Sequence, residues 1–317
     1  MHNLYDVLGT QRTQARPELI LAGSFLSRNF NILVSENGRR DKMNWKQKSK
    51  ILTLFDYLPA RLFFLLSKHI LRSGSVNITA GGLPSAWTFV EETLKNAQAK
   101  TSIEFGAGRH LGINQWFSQF MDKQVVVDID RMIDIDLVRQ TNEDLRKHGY
   151  LDQTSIIETL QNLDTDMGID YRAPCDLLDV AEDEEFDVSF SVSTWEHIPQ
   201  SVIPVLLVKL KSLLKPGGLI VAHIDYSDHY AHSDSALDRL HFLAYSEAEW
   251  AQHNHRHLFQ NRLRHQHYQK IFDDCGLKTI TADASNYVRS PKLPAIADNL
   301  TGHETDYATT GRWVLQV

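Results

Sequence analysis

The 317-residue chain is 42% hydrophobic and 23% charged, a balance suited to one core domain with an appendage. Its formal net charge of -7 argues against a general nucleic-acid binder, which carries a basic surface excess. Two cysteines, Cys175 and Cys275, with no Cys-x-x-Cys spacing, argue against a disulfide framework or a zinc–thiolate site and fit a reducing cytoplasm.

The first residues, Met1 to Asp6, lack the basic-then-apolar layout of a signal peptide. Residues 1–45 read as a polar arm with short ordered pieces at 20–22 and 30–34. From 45 to 71 apolar residues crowd together, and Pro59 divides the run into two helices or kinks one. Asp56, Arg61, Lys68 and His69 interrupt it, which makes it a poor membrane span. Two uses compete: a cap packed on the core or against a second copy as a homodimer, and a peripheral membrane helix carrying Lys46, Lys48, Lys50, Arg61 and Lys68. The cap is the expected use, since apolar helix faces are more often buried. Residues 1–79 thus read as an N-terminal extension. Gly81-Gly82-Leu83-Pro84 is a turn, and Ser85 is the expected N-cap of a helix over 86–97.

Residues 101–105 read as a buried strand, Thr-Ser-Ile-Glu-Phe, followed by Gly106-Ala107-Gly108 and a helix over about 109–120. Glycines here permit angles that a side chain forbids and let a ligand approach the main chain. The helix would aim its N-terminal amides at whatever occupies the turn. The third position of the dinucleotide fingerprint is Leu111 rather than Gly, which weakens a pyrophosphate reading. Residues 124–128 form a second, doubly buried strand that ends on an acid. Asp128 lies 22 positions after Gly106, where a strand-end carboxylate can accept both ribose hydroxyls. Asp130, two further on, competes for that role.

Residues 131–168 are polar and helical in tendency. A third strand is expected at 169–173, with Asp176-Leu177 just beyond it. A fourth runs over 186–193 and continues into Thr194-Trp195-Glu196-His197-Ile198-Pro199. A helix over about 201–214 ends in Lys215-Pro216-Gly217-Gly218, before a fifth strand at 219–225. A helix over 265–275 stops at Gly276, a C-cap position. Sixth and seventh strands are expected at 277–281 and 312–317, joined by a long loop over about 285–310.

The acidic strand with Gly-x-Gly, the Glu-His-Ile-Pro run and Leu-Leu-Lys-Pro-Gly-Gly, in this order across 101–225, resemble class I S-adenosylmethionine-dependent methyltransferases. The resemblance implies a doubly wound, mostly parallel seven-stranded α/β sheet over 80–317, with the last strand inserted antiparallel beside the fifth and sixth. It implies S-adenosyl-L-methionine as cofactor, held by Glu104, Gly106, Gly108, Asp128, Ile129, Asp176, Leu177 and Ser191. Asp176 would reach the adenine amino group; capping a helix is its plainer alternative. Some methyltransferases bind a divalent metal through Glu-x-x-Glu-His after the fourth strand. Ser193 stands three positions before Glu196, so no metal is expected from the resemblance.

Beyond the fifth strand, residues 225–234 are dense in groups that move protons, at the sheet end where open α/β folds build sites. His229 is the first choice of base for a hydroxyl acceptor, with Asp228 or Asp225 orienting it. Tyr226, Tyr230, Arg262 and Arg264 are the expected substrate contacts, and 226–264 the expected lid. The Arg/His group from His253 to Arg264 suits an anionic acceptor. His253-x-His255-x-His257 fits either a metal or, more simply, a polar surface. The loosest part of the resemblance, Asn261 to His265 with Asp228-His229-Tyr230, is to bacterial enzymes of polysaccharide or secondary-metabolite assembly. The expected reaction is O-methylation of a small polar or sugar-like acceptor. A nicotinamide oxidoreductase, an S-adenosylmethionine enzyme of elimination or cyclisation, and a non-catalytic assembly subunit are the rivals.

Overall fold

The computed structural model describes residues 44–58, 62, 78–79, 81–287 and 303–317. The expected pieces at 20–22 and 30–34, the helix after Pro59 and most of the 285–310 loop lie outside them.

Seven strands form one sheet: β1 (Thr101–Phe105), β2 (Lys123–Val127), β3 (Ile169–Arg172), β4 (Phe186–Val192), β5 (Leu214–Asp225), β6 (Lys278–Ala284) and β7 (Thr310–Gln316). Their spatial order is β3-β2-β1-β4-β5-β7-β6. The first five pair in parallel, with Ile103 opposite Val125 and Val188 opposite Leu219. The chain's last strand, β7, runs antiparallel to both β5 and β6, with Ala222 opposite Trp313. The doubly wound expectation holds.

Alternation along each strand splits the apolar residues between two layers. Ile103, Phe105, Val125, Val127, Ala222 and Trp313 pack on one face against α6 (Ile203–Leu213) and α8 (His265–Asp274). Val126, Val188, Phe190 and Val221 pack on the other. There they meet α2 (Ser85–Asn96), α3 (Gly112–Phe117), α4 (Ile135–Lys147) and α5 (Gln161–Met167). Burial on both faces is why these strands read as continuous apolar runs.

Several boundaries differ from expectation. Ser85 is the first helical residue of α2; Pro84 occupies the N-cap and no side chain caps it. The helix after the glycine turn is only six residues long, because Leu111 adopts a left-handed conformation with φ 48° and keeps the preceding loop open. The fifth strand starts at Leu214, not 219: Lys215-Pro216-Gly217-Gly218 is absorbed by a register shift between Phe186 and Val188.

The N-terminal helix α1 (Trp45–Phe55) is capped by Asn44, whose side chain accepts from the Gln47 amide while Gln47 returns the bond. Its Trp45, Leu52 and Phe55 pack on Tyr230, Leu240, Phe242, Leu243 and Trp250, beside a short α7 (Glu247–Trp250). Trp45 meets Tyr230, His241, Tyr245 and His253 edge-on, with centroids 4.8–5.9 Å away. This helix therefore buries its apolar face on the 226–264 segment of its own chain. Among the described residues no helix is long and apolar enough to cross a membrane.

Candidate active site

The site lies beyond the carboxyl ends of β1, β2, β4 and β5, the side from which a parallel sheet presents its loops. Gly106 and Gly108 follow β1 with φ +72° and +78°, a region that favours glycine. A Cβ on Gly106 would lie 2.6 Å from Thr194 Cγ2, whereas one on Gly108 would meet nothing within 4 Å. The turn is thus closed on the β4 side and open at Gly108.

Glu104, 2% exposed, faces away from Ile103 and accepts from Asn114 Nδ2 at 2.7 Å. Burial pushes its carboxyl up to about 8, with Asp128 adding to the rise and Asn114 opposing it. Asp128 directly follows β2 and is 3% exposed, with Oδ2 lacking a hydrogen-bond partner in the chain. Burial raises it to about 7, against the opposing effects of the Tyr171 hydroxyl and the Gly106 amide. Asp130 is exposed. The next residue after Asp128, Ile129, is 48% exposed, an apolar side chain set at the rim. Asp176 caps a single helical turn at Leu177–Asp179 through Leu178 N, 3.0 Å from Oδ1, and Leu177 is buried. The plainer alternative for Asp176 is thus present. Ser191, 1% exposed, is held inside the sheet in β4 opposite Ala222.

The acceptor side differs more from expectation. Asp228 is fully buried: Oδ1 accepts from Tyr230 N at 2.8 Å and Oδ2 lies 2.9 Å from His241 Nδ1. It braces a loop and does not face His229. Tyr226 is 2% exposed, with its hydroxyl accepting from Trp313 Nε1 at 2.9 Å. Tyr230, equally buried, donates to His253 O at 2.8 Å. Arg264 is fully buried and donates to the carbonyls of Tyr226, Asp306 and Ala308. Arg262 donates to Phe242 O and Tyr245 O and pairs with Glu247. These four expected substrate contacts spend their polar atoms inside the fold, which requires buried polar groups to be paired. His253 Nδ1 and His255 Nε2 each lie 2.9 Å from Ser49 Oγ, and His255 Nδ1 is 2.9 Å from Asp56 Oδ2. Both histidines tie the 226–264 segment to α1 and the residue that follows it. The side chain of His257 lies outside the described ones.

His229 is different. At the exit of β5, its Nε2 is buried without a hydrogen-bond partner, 3.6 Å from Asp225 Oδ2. Its ring lies 4.9 Å from both His197 and His232. Asp225 accepts from Ser227 N and Oγ at 2.8 and 2.6 Å, and these bonds together with His229 hold its carboxyl well below the usual range despite burial. Glu196 and His197, which the sequence leaves equally as residues that shape the site and as a solvated pair at a helix start, complete this corner. They sit on a helical turn, Trp195–His197, that Asn261 clamps by donating Nδ2 to the carbonyls of Trp195 and Ile198 at 2.8 and 2.9 Å. Two residues earlier, Thr194 Oγ1 is 3.3 Å from Gly106 O. The corner therefore adjoins the glycine turn. An acid–histidine pair directly after a buried strand was the available signal, and Asn261 was hidden because its partner is 63–66 positions away.

The donor set fits the expected cofactor: an orphaned buried Asp128 oxygen, a second raised carboxyl at Glu104 and an open glycine turn. A family profile described as Methyltransferase domain matches residues 85–282. No curated protein matches the sequence. Among solved structures the chain is similar to 1,6-didemethyltoxoflavin-N1-methyltransferase from Burkholderia thailandensis, at 13% identity and TM-score 0.44, covering 81% of this chain and 86% of that one. It is similar to an S-adenosylmethionine-dependent methyltransferase from Clostridium acetobutylicum, at 10% identity and TM-score 0.43, covering 81% and 98%. It is also similar to the N-methyltransferase NodS from Bradyrhizobium japonicum, at 11% identity and TM-score 0.38, covering 73% and 93%.

Proposed function

The chain belongs to the S-adenosylmethionine-dependent methyltransferase family, and from that premise we propose that it methylates an oxygen of a small, polar, hydroxyl-bearing acceptor. When bound, S-adenosylmethionine supplies an activated methyl group; its transfer breaks the sulfur–methyl bond, makes an oxygen–methyl bond and leaves S-adenosylhomocysteine and the acceptor's proton. The chain's own work is to align the partners and dispose of that proton.

One observation carries the choice of oxygen. The corner beside the glycine turn gathers Glu196, His197, Asp225 and His229, with three of its polar atoms buried and unpartnered: both Glu196 oxygens and His229 Nε2. An amine acceptor needs no such equipment once its lone pair is free, whereas a hydroxyl must shed a proton. In this reading Glu104, Gly106, Gly108 and Asp128 hold the cofactor, Ile129 and Leu177 flank its base, and Asp176 reaches it while capping its turn. His229 receives the acceptor hydroxyl, and Asp225 orients His229. Helix α1 and residues 226–264 cover the acceptor. Two free thiols, Cys175 and Cys275, support a cytoplasmic setting.

The test is turnover of methyl-¹³C-labelled S-adenosylmethionine with a panel of polyols, sugars, hydroxy acids and amines, read by NMR of the product. Methoxy signals from the hydroxyl-bearing members support the reading. Methylation of amines alone, or loss of cofactor to elimination or cyclisation products without a methylated acceptor, overturns it.

A further inference from the structure

We propose that the corner formed by Glu196, His197 and His229 is a binding site for one divalent first-row transition-metal ion, which holds the acceptor's hydroxyl beside the methyl donor. The inference rests on the O-methylation reading and deepens it: His229 serves as a ligand, and the hydroxyl loses its proton because it is held by the ion.

Four observations carry the site. One potential ligand atom from each of Glu196, His197 and His229 lies within 4.8 Å of the other two, a separation that one ion of ordinary coordination length can bridge. Glu196 is 2% exposed and neither carboxylate oxygen has a side-chain partner. An ionised carboxylate left so is costly to bury, and buried charges are ordinarily paired or bound to metal. Asp225 is a second carboxylate at the same corner, and its Oδ2 approaches the same His229 Nε2 at 3.6 Å.

The fourth observation is the orientation of the ligands. His197 Nδ1 lies 2.7 Å from Phe259 O and donates to it, which leaves the Nε2 lone pair as the ring's acceptor. Metal-bound histidines ordinarily have such a partner on the far nitrogen, which fixes the tautomer and the ring plane. Asn261 holds the Glu196 turn by two side-chain bonds, and its own amide donates to Glu196 O at 2.8 Å. Glu196 and His197 are therefore held in place by the 259–261 segment before any ion arrives.

An overlapping group, Asp225, His229 and His232, also has its ligand atoms within 4.8 Å. Its atoms are already engaged: Asp225 accepts twice from Ser227, and His232 Nε2 lies 2.8 Å from Ser227 Oγ. Asp225 is thus a counter-charge beside the ion rather than the primary ligand. Two imidazoles and one carboxylate select a borderline ion such as Co²⁺ or Zn²⁺ over Mg²⁺, which prefers an all-oxygen shell. Three protein ligands leave positions for the acceptor oxygen, whose proton becomes more acidic on coordination and passes to solvent. Thr194, two residues from Glu196, touches Gly106, so the oxygen would be held next to the cofactor turn.

The experiment titrates Co²⁺ into chelator-treated full-length protein, followed by its visible d–d absorption and by calorimetry. S-adenosylhomocysteine binding is measured on the same samples. One Co²⁺ per chain is expected. His229→Asn and Glu196→Gln are each expected to weaken it by about tenfold or more while leaving the S-adenosylhomocysteine affinity unchanged. Circular dichroism confirms that each variant folds, and His229→Asn, less buried than Glu196, serves if Glu196→Gln does not. No stoichiometric Co²⁺ binding, or equal binding by folded wild type and His229→Asn, overturns the metal site. It leaves the methyltransferase reading standing, which fails separately if labelled methyl never reaches a hydroxyl.

Discussion

At the scale of single residues, the cofactor side and the acceptor side obey different rules. Asp128 keeps an unpartnered oxygen in a buried setting, a condition that a ligand's paired hydroxyls relieve. Asp128→Ala is expected to weaken S-adenosylhomocysteine by about tenfold or more, the loss of a charge-assisted bond pair; unchanged calorimetric affinity would remove Asp128 from the site. Arg264 is the opposite case. Its type and its place in a basic run suggested anion recognition, yet three carbonyls from Tyr226, Asp306 and Ala308 consume its donors. Arg264→Ala orphans all three and is expected to destabilise the fold by about 3 kcal/mol or more in denaturant melts. If instead a folded, equally stable Arg264→Ala lost only acceptor affinity, the substrate role would be restored. No property of an arginine in a one-dimensional string distinguishes these two uses. The distinction is set by which carbonyls the fold brings within reach.

Single elements show where local sequence is decisive and where it is overruled. The β1 turn was legible because glycine is needed for positive φ, and Gly106 and Gly108 have it. Their costs separate. Gly108→Ala carries backbone strain alone, about 1 kcal/mol, whereas Gly106→Ala adds a 2.6 Å clash with Thr194. Thermal melts should therefore rank Gly106→Ala well below Gly108→Ala, and the reverse ranking would contradict the packing. Helix α3, expected to be twice its length, was shortened by Leu111, a residue type that rarely takes φ 48° and that nothing in its neighbours announced. Helix α1 was legible as apolar, but its partner was not. Trp45 sits among four rings of the 230–253 segment. Trp45→Ala is expected to expose that segment to limited proteolysis while S-adenosylhomocysteine binding is retained. Protection equal to wild type would mean that α1 is not what holds the segment down.

For the whole molecule, the buried acids set the response to pH. Glu104 and Asp128 titrate near 8 and 7 in the fold, against ordinary values of 4.5 and 3.8. Between about pH 7 and 8 the folded chain retains protons that the unfolded chain has released, so the stability of the ligand-free protein falls as pH rises through that window, whereas nearer pH 5 His110 and His197, lowered by desolvation to about 4, act with the opposite sign. Urea midpoints at pH 7 and 8 test this, and a higher midpoint at pH 8 would contradict it. Below pH 4 the sign reverses, since Asp187, held down to about 2 by Lys215 and the 100–101 amides despite some burial, loses its stabilising charge on protonation. The sequence by itself determined the succession of strands along the chain, and its family resemblance implied the doubly wound sheet and the proposed cofactor end of the site. Those features depend on short-range periodicity, on glycine's freedom at a turn and on acids placed where successive strands end. Only the tertiary structure brought together the groups of the proposed acceptor end. Its groups come from Glu196 and His197 after β4, Asp225 at the end of β5 and His229 beyond it, and Phe259 and Asn261 some thirty or more positions later. Whether a polar side chain there faces a ligand or a carbonyl depends on contacts between segments far apart in the chain, and these exist only once the core has closed.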